Sequence, residues 1–271
     1  MCRNIFYTLA KYRLQLVIST YIAGCLAALL PTNASATTVV ALMDYRHHRI
    51  VLAADSRLVF RDVTKSGIKE IVEPPICKLV AQSHCAAAFT GFAADTKTGF
   101  NLFTSATELC KEPGSLRNHA DALMKGVRGP LRKIITRARQ VDPVFYKRWL
   151  ATGRPIFTGL FAGLEDGHLS YYELACLADK NGNLLRPYGK DVIDVALHNM
   201  PYALLGERTE IVKYMQANPH WDSEDAIKIA EQFVASEIQA HPDMVAPPIS
   251  ILQIDKNGNH WITRGACRPF T

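Results

Sequence analysis

The chain is divided before it folds. Leu14 to Leu30 is mostly apolar and uncharged, Arg3, Lys11 and Arg13 make the N-terminal stretch positive, and no acidic residue precedes Asp44. Pro31 ends the apolar run, and Ala34-Ser35-Ala36 presents the small-x-small pattern that a signal peptidase accepts. Residues 1–36 therefore read as an export signal, and residues 37–271 as the part that must build the folded domain in the periplasm or outside the cell. Two other fates compete with cleavage after Ala36. The apolar stretch has about the length of a membrane anchor, so an uncleaved leader would tether the domain. Ile22-Ala23-Gly24-Cys25 also fits a lipoprotein cleavage box, which would leave a lipidated Cys25.

The 235 residues after Ala36 suffice for one sizeable core in one domain. Losing the leader lowers the formal charge from +6 to +3, which is not the balance of a nucleic-acid binder. There is no Walker loop and no dinucleotide fingerprint, so no cofactor is expected. Cys77, Cys85, Cys110, Cys176 and Cys267 follow the leader; their odd number leaves at least one free thiol, and the absence of CxxC argues against zinc. Whether Cys77 pairs with Cys85 depends on strand geometry that the sequence does not specify.

The order of elements can be read from periodicity. Thr37 to Leu42 and Ile50 to Ala54 are apolar, β-branched runs around a polar turn, the pattern of a hairpin. Lys78 to Val80 and Ala86 to Thr90, closed by Gly91, read as a second strand pair. Apolar residues at helical spacing predict a helix over 93–110. Ser115 can cap another that runs to about Arg139, with Leu116, Ala120, Leu123, Val127, Leu131, Ile134 and Ile135 as its inner stripe. Ile156 to Leu164 and His168 to Leu177 form a hairpin around Glu165-Asp166-Gly167. Helices follow near 207–216 and 222–239, and Ile249 to Ile254 with His260 to Thr263 closes the chain as a hairpin. Two Asp-Lys-Asn-Gly-Asn segments, at Asp179 and Asp255, read as tight turns rather than calcium loops because no acidic twelfth ligand follows. Strands, helices, strands, helices, strands: this order implies an α+β protein in which sheets cover each other and helices cover their outer faces.

The chemistry suggested by the leader is specific. A cut after Ala36 gives Thr37 a free α-amino group beside its own hydroxyl, so that one residue carries both nucleophile and base. A free α-amino group titrates at about 7.7–8.0, leaving a useful neutral fraction at pH 7.

Thr37-Thr38-Val39-Val40-Ala41, Ile50-Val51-Leu52-Ala53-Ala54-Asp55-Ser56-Arg57, Cys77-Lys78-Leu79-Val80 and Thr90-Gly91-Phe92-Ala93-Ala94-Asp95 occur in that order. Together they resemble the proteasome β-type subunits and their bacterial relatives among the N-terminal nucleophile hydrolases. The resemblance extends more loosely through 222–229 and the closing strands. It implies a four-layer αββα sandwich and a threonine-type peptidase or amidohydrolase acting on a peptide or small amide. It also implies roles: Thr37 as nucleophile, Lys78 as the cation beside it, Asp55 as the partner of Lys78, the Gly91 N–H as oxyanion donor, and Asp243 as a supporting aspartate near the amine. The chain departs from the pattern at Gly206-Glu207-Arg208, where the family carries Gly-Ser-Gly, and at Ala246, where it carries serine; Thr209 and Ser250 are candidate substitutes. A non-catalytic assembly or binding subunit on the same fold is the alternative, tethered to a membrane if the leader is retained or Cys25 is lipidated. Relatives form closed rings, so a homo-oligomer is a further expectation.

Two features stand outside the resemblance. Residues 125–154 carry nine Lys and Arg with Phe145, Tyr146 and Trp149 among them, which reads as a solvated basic helix face with an aromatic-anchored loop, or as a contact with an anionic membrane or a partner. His47-His48 lacks a third metal ligand in sequence, and neighbouring side chains point apart.

Overall fold

A computed structural model of the chain describes residues 37–57, 59–64, 67–72, 75–95, 98–141, 143–149, 155–179, 181–185, 188–193 and 200–267. The chain separates into Met1–Asn33 and Ala34–Thr271, and the described residues all belong to the second unit. The expected leader, residues 1–36, lies outside them.

The strands are β1 (Thr38–Asp44), β2 (Arg49–Ala54), β3 (Val59–Thr64), β4 (Gly67–Val72), β5 (Leu79–Ala81), β6 (Ala86–Gly91), β7 (Ala94–Asp95) and β8 (Phe100–Asn101). Helices α1 (Leu102–Lys111), α2 (Leu116–Val141) and α3 (Pro143–Trp149) follow. Then come β9 (Pro155–Glu165), β10 (His168–Leu177), β11 (Tyr188–Ile193), β12 (Tyr202–Gly206), α4 (Thr209–Ala217), α5 (Ala226–Ala240), β13 (Ser250–Asp255) and β14 (Gly258–Thr263). One five-stranded sheet has the order β12-β1-β2-β13-β14 and the other β11-β10-β9-β6-β5, with β3-β4 and β7-β8 as separate pairs. All these pairings are antiparallel, and the fold is α+β.

The period of two along β1 explains why its sequence is almost wholly apolar. Val39, Ala41 and Met43 enter one buried cluster with Leu52 and Leu252 of their own sheet and Ala86, Ala88, Leu160 and Ala162 of the other sheet. Val40 and Leu42 point the opposite way, into a cluster with Ile229, Phe233 and Val234 of α5 and Ile211 of α4. The second sheet repeats the arrangement: Ala87 and Phe89 of β6, with Phe157 and Phe161 of β9, pack against Leu102 and Ala106 of α1 and the full expected stripe of α2. A sheet buried on both faces cannot alternate polar and apolar residues, so its strands read as continuous hydrophobic runs. Gly159 of β9 is required by this packing, because a Cβ there would collide with the Phe89 ring.

Several expected boundaries move for local reasons. The helix expected over 93–110 begins only at Leu102, where the Asn101 side chain caps it by accepting from the Thr104 N–H at 3.1 Å. Upstream, Asp95 accepts from the Thr98 N–H and hydroxyl, forming a tight turn that feeds β7 into β8. The Ser115 hydroxyl does cap α2, accepting from Asn118 N at 3.1 Å. The helix expected from 222 starts at Ala226; Asp225 is its N-cap, accepting from Ile227 N and Lys228 N, and Trp221–Ser223 forms a short 3-10 turn. Periodicity predicts none of the strands β3, β4, β7, β8, β11 and β12, nor the helix α3, which stands where an aromatic-anchored loop is expected.

The cysteines pair as Cys77–Cys267 and Cys85–Cys110, with Cα atoms 4.4 and 4.9 Å apart. Cys77 and Cys85 are thus each bound to a different partner. Cys176 is the free, buried thiol among the described residues, and burial pushes it up to about 12, which keeps it protonated and inert. In both Asp-Lys-Asn-Gly-Asn segments the aspartate closes a turn on backbone N–H groups, Asn181 and Asn183 for Asp179 and Asn257 for Asp255. Phe233 is fully buried between α5 and the β1–β2 sheet. Phe233→Ala is expected to lower unfolding free energy by about 3–5 kcal/mol in denaturant melts, without loss of native near-UV signal at low denaturant.

Candidate active site

Thr37 stands at the mouth of β1, where three strand ends converge. The pairing of β1 with β12 places Thr38 opposite Gly206, and the next rung continues beyond the strands: Glu207 N–H donates to the Thr37 carbonyl at 2.9 Å. On the other side β2 ends at Ala54, so Asp55 emerges beside Thr38, and its N–H donates to the Thr38 carbonyl at 3.3 Å. Thr38 then serves as the anchor. Its N–H donates to Asp55 Oδ1 at 2.8 Å and its hydroxyl to the Glu207 carbonyl at 3.0 Å. Two adjacent threonines thus have separate tasks, because their side chains point to opposite faces of the strand.

Lys78 immediately precedes β5 in the other sheet, and its ammonium crosses to this corner. Nζ donates to the Thr37 hydroxyl oxygen at 2.9 Å and to both Asp55 oxygens at 3.0 and 2.9 Å. Lys78, Asp55 and Thr37 are 1%, 1% and 6% exposed. Long cations are almost never fully buried without a partner, and Asp55 supplies one. Asp55 is itself fixed by further donors: Arg57 N at 2.9 Å and Ala246 N at 3.4 Å in addition to Thr38 N. The Cys77–Cys267 disulfide sits one residue before Lys78 and ties its approach to the chain's C-terminal region.

The electrostatics follow from burial. Desolvation pulls the Lys78 ammonium below the ordinary lysine value, opposed by the charge and hydrogen bonds of Asp55. Desolvation likewise pushes Asp55 upward, opposed by Lys78 and by the backbone N–H groups of Thr38 and Arg57. A cation 2.9 Å from a hydroxyl oxygen stabilises the alkoxide that forms when the proton leaves. The same cation raises the cost of a second positive charge nearby, so an α-amine on Thr37 would be held neutral more readily than in water.

Gly91 ends β6 at φ +90°, and a Cβ there would lie 2.7 Å from the Ile156 carbonyl oxygen, so only glycine fits. The β5–β6 register, Leu79 opposite Ala88, runs Gly91 toward the end of the sheet from which Lys78 projects. Asp243 is placed differently from the other four. It is exposed in the turn that follows α5, and it makes no hydrogen bond or ion pair with a described residue. Its neighbour Pro242 is linked instead, its carbonyl accepting from Arg57 Nη1 at 2.7 Å. Neither candidate substitute hydroxyl turns to Thr37: Thr209 donates to Glu207 Oε1 at 2.6 Å and Ser250 to the Arg264 carbonyl at 2.9 Å. At position 246 the backbone N–H takes up the contact to Asp55.

The resemblance sets Gly206-Glu207-Arg208 near the amine, and Glu207 does lie at this corner, its N–H on the Thr37 carbonyl; the group around Glu207 is not legible in the sequence. Glu207, Glu237 and His241 bring ligand-type atoms within 4.8 Å of one another. His47 is occupied elsewhere, its Nδ1 2.8 Å from Asp44 Oδ2 in the β1–β2 turn. The basic residues Lys125, Arg128, Arg132, Lys133 and Arg139 are exposed along α2, while Arg137 pairs with Asp95 at 2.6 Å. Phe145 and Trp149 lie outside the residues whose side chains are described.

Compared with known proteins, the chain matches no family model and no curated protein sequence.

The buried ion pair gives a direct test. Lys78→Met leaves Asp55 as a buried, uncompensated charge and is expected to cost about 3–5 kcal/mol. Adding Asp55→Asn to that variant should recover a substantial part, read as a favourable coupling in a double-mutant cycle of urea melts. Strictly additive losses would mean that the two groups do not interact.

Proposed function

We propose that this chain is an exported N-terminal threonine hydrolase that cleaves amide bonds, most simply those of peptides, and that its domain is a four-layer αββα sandwich of the proteasome β-type, N-terminal nucleophile class. The observation that carries this reading is the buried Lys78 ammonium, shared between the Thr37 hydroxyl and Asp55. A lone strand-end threonine would not need such a neighbour. In support, three buried apolar clusters alternate with two sheets, one cluster between the sheets and one beneath each pair of helices. Two disulfides suit an oxidising compartment outside the cytosol.

In the proposed reaction, peptidase cleavage after Ala36 exposes the Thr37 amine. That neutral amine takes the hydroxyl proton, directly or through a water, as Thr37 Oγ1 attacks the substrate carbonyl carbon. The Gly91 N–H stabilises the resulting oxyanion. Collapse expels the leaving amine, which takes the proton back, and leaves an ester on Thr37. Water activated by the same amine then hydrolyses the ester. Lys78 keeps the alkoxide and the neutral amine favourable throughout, and Asp55 holds Lys78 in place.

The test is N-terminal sequencing of the exported protein followed by assays on fluorogenic peptides. A start at Thr37 and loss of at least about 10³-fold in kcat for Thr37→Ala are expected, with Thr37→Ser retaining activity. Any other start, or equal rates in Thr37→Ala, overturns the catalytic reading and leaves a binding subunit on this fold, the reading that the exposed Asp243 favours. The kcat/KM profile should rise with pH as the amine loses its proton. It should fall again below the ordinary lysine value of 10.5, because burial lowers the pKa at which Lys78 gives up its charge.

A further inference from the structure

The first turn of α4 is capped by two glutamates. The four N–H groups that a helix start leaves without intrahelical partners belong here to Arg208, Thr209, Glu210 and Ile211. Glu207 Oε1 accepts from Arg208 N and Thr209 N, each at 3.3 Å, and from the Thr209 hydroxyl at 2.6 Å. Glu237, reaching across from α5, accepts with its Oε1 from Glu210 N at 2.7 Å and Ile211 N at 2.9 Å. Glu237 is therefore fixed through its Oε1, which orients Oε2.

Glu237 is 0% and Glu207 2% exposed, so two carboxylates are buried side by side. Glu237 Oε2 has no hydrogen-bond partner, although no solvent reaches it. His241, one helical turn further along α5, faces it with Nε2, a second buried atom without a hydrogen bond. Their separation is 3.7 Å, too long for a hydrogen bond, and a cation with bonds of about 2.1 Å would span it at an angle of roughly 120°. Two buried atoms, an oxygen and an imidazole nitrogen, face each other 3.7 Å apart without a hydrogen bond, beside a second buried carboxylate, an arrangement that an electrophile between them would satisfy.

We infer that Glu207, Glu237 and His241 form a binding site for a divalent transition-metal cation, with Zn²⁺ and Mn²⁺ best matched to one imidazole and two carboxylates. The ion pairs with both buried carboxylates in their ionised form and ties the start of α4 to the end of α5. The backbone N–H contacts of both carboxylates supply the outer support that metal ligands need. His241 is part-exposed, with 31% of its side chain accessible, and provides the entry path. The site is joined to the nucleophile's corner through Glu207, whose N–H holds the Thr37 carbonyl. It does not depend on Thr37 being catalytic, because its readouts are binding and stability.

The experiment uses the full exported protein, disulfides intact, without a histidine tag, stripped with chelator and dialysed. Zn²⁺ and Mn²⁺ are titrated separately by calorimetry, and thermal midpoints are recorded with and without each ion. The expected result is one equivalent bound and a raised midpoint, since an ion that binds only the folded state stabilises it. His241→Ala and Glu237→Gln should each weaken binding by at least about tenfold, the loss that even outer-sphere partners cause. His48→Ala, in the exposed turn, should bind as the parent does. No stoichiometric binding of either ion, or unchanged affinity in both His241→Ala and Glu237→Gln, overturns the inference; the carboxyl and imidazole then share a proton instead.

Discussion

The buried contact between Lys78 and Asp55 is the interaction on which this corner of the molecule depends. An ammonium and a carboxylate taken out of water each carry a desolvation cost of several kcal/mol, and close pairing with further hydrogen bonds is what offsets it. Here the pair lies 2.9 Å apart and Asp55 collects backbone donors from three segments: Thr38, Arg57 and Ala246. Those three segments are the start of β1, the exit from β2 and the approach to β13. Lys78 comes from the opposite sheet, so the ion pair also registers one sheet against the other at the edge of their shared apolar cluster. The Thr37 hydroxyl is the third group in contact with this cation.

That arrangement links fold to chemistry in a definite order. Continuous apolar strands bury both faces of each sheet, which fixes the strand ends in space. The strand ends deliver a hydroxyl, an ammonium and a carboxylate to one small buried volume. Low polarity then makes the cation's effect on the hydroxyl larger than it would be at a surface. Glu207 closes the corner from the third side, and its carboxylate belongs to a separate buried group at the start of α4.

Much of this was legible in the chain because it is local or carried by strong patterning. The β1–β2 hairpin, the α2 stripe and the β9–β10 hairpin each follow from periodicity within a few turns of sequence. Asp55 and Lys78 were legible only through resemblance, since an Asp after a strand and a Lys before one are ordinary surface residues by pattern alone. The disulfide partners were not legible: Cys77 and Cys267 are 190 residues apart, and nothing local pairs them. The short strand β12 has five residues, which carry little periodic signal, so the rung that brings Glu207 to Thr37 is legible only through resemblance. The Glu237–His241 spacing was visible as an i, i+4 pair on a helix, yet its meaning required knowing that Glu207 approaches from another element. Asp243 follows the end of α5, and the turn that begins at His241 leaves it exposed.

The central claim is that the Lys78 cation makes Thr37 the reactive hydroxyl of this protein. Trapping with an activated acyl ester, followed by intact-mass and peptide-fragment spectrometry, tests it most directly. The account predicts a single acyl group on Thr37 of the exported protein, and none on the folded Lys78→Met/Asp55→Asn variant, in which neutral groups of similar size replace the ion pair. Acylation at other hydroxyls with Thr37 unmodified, or equal labelling of Thr37 in that variant, would contradict it.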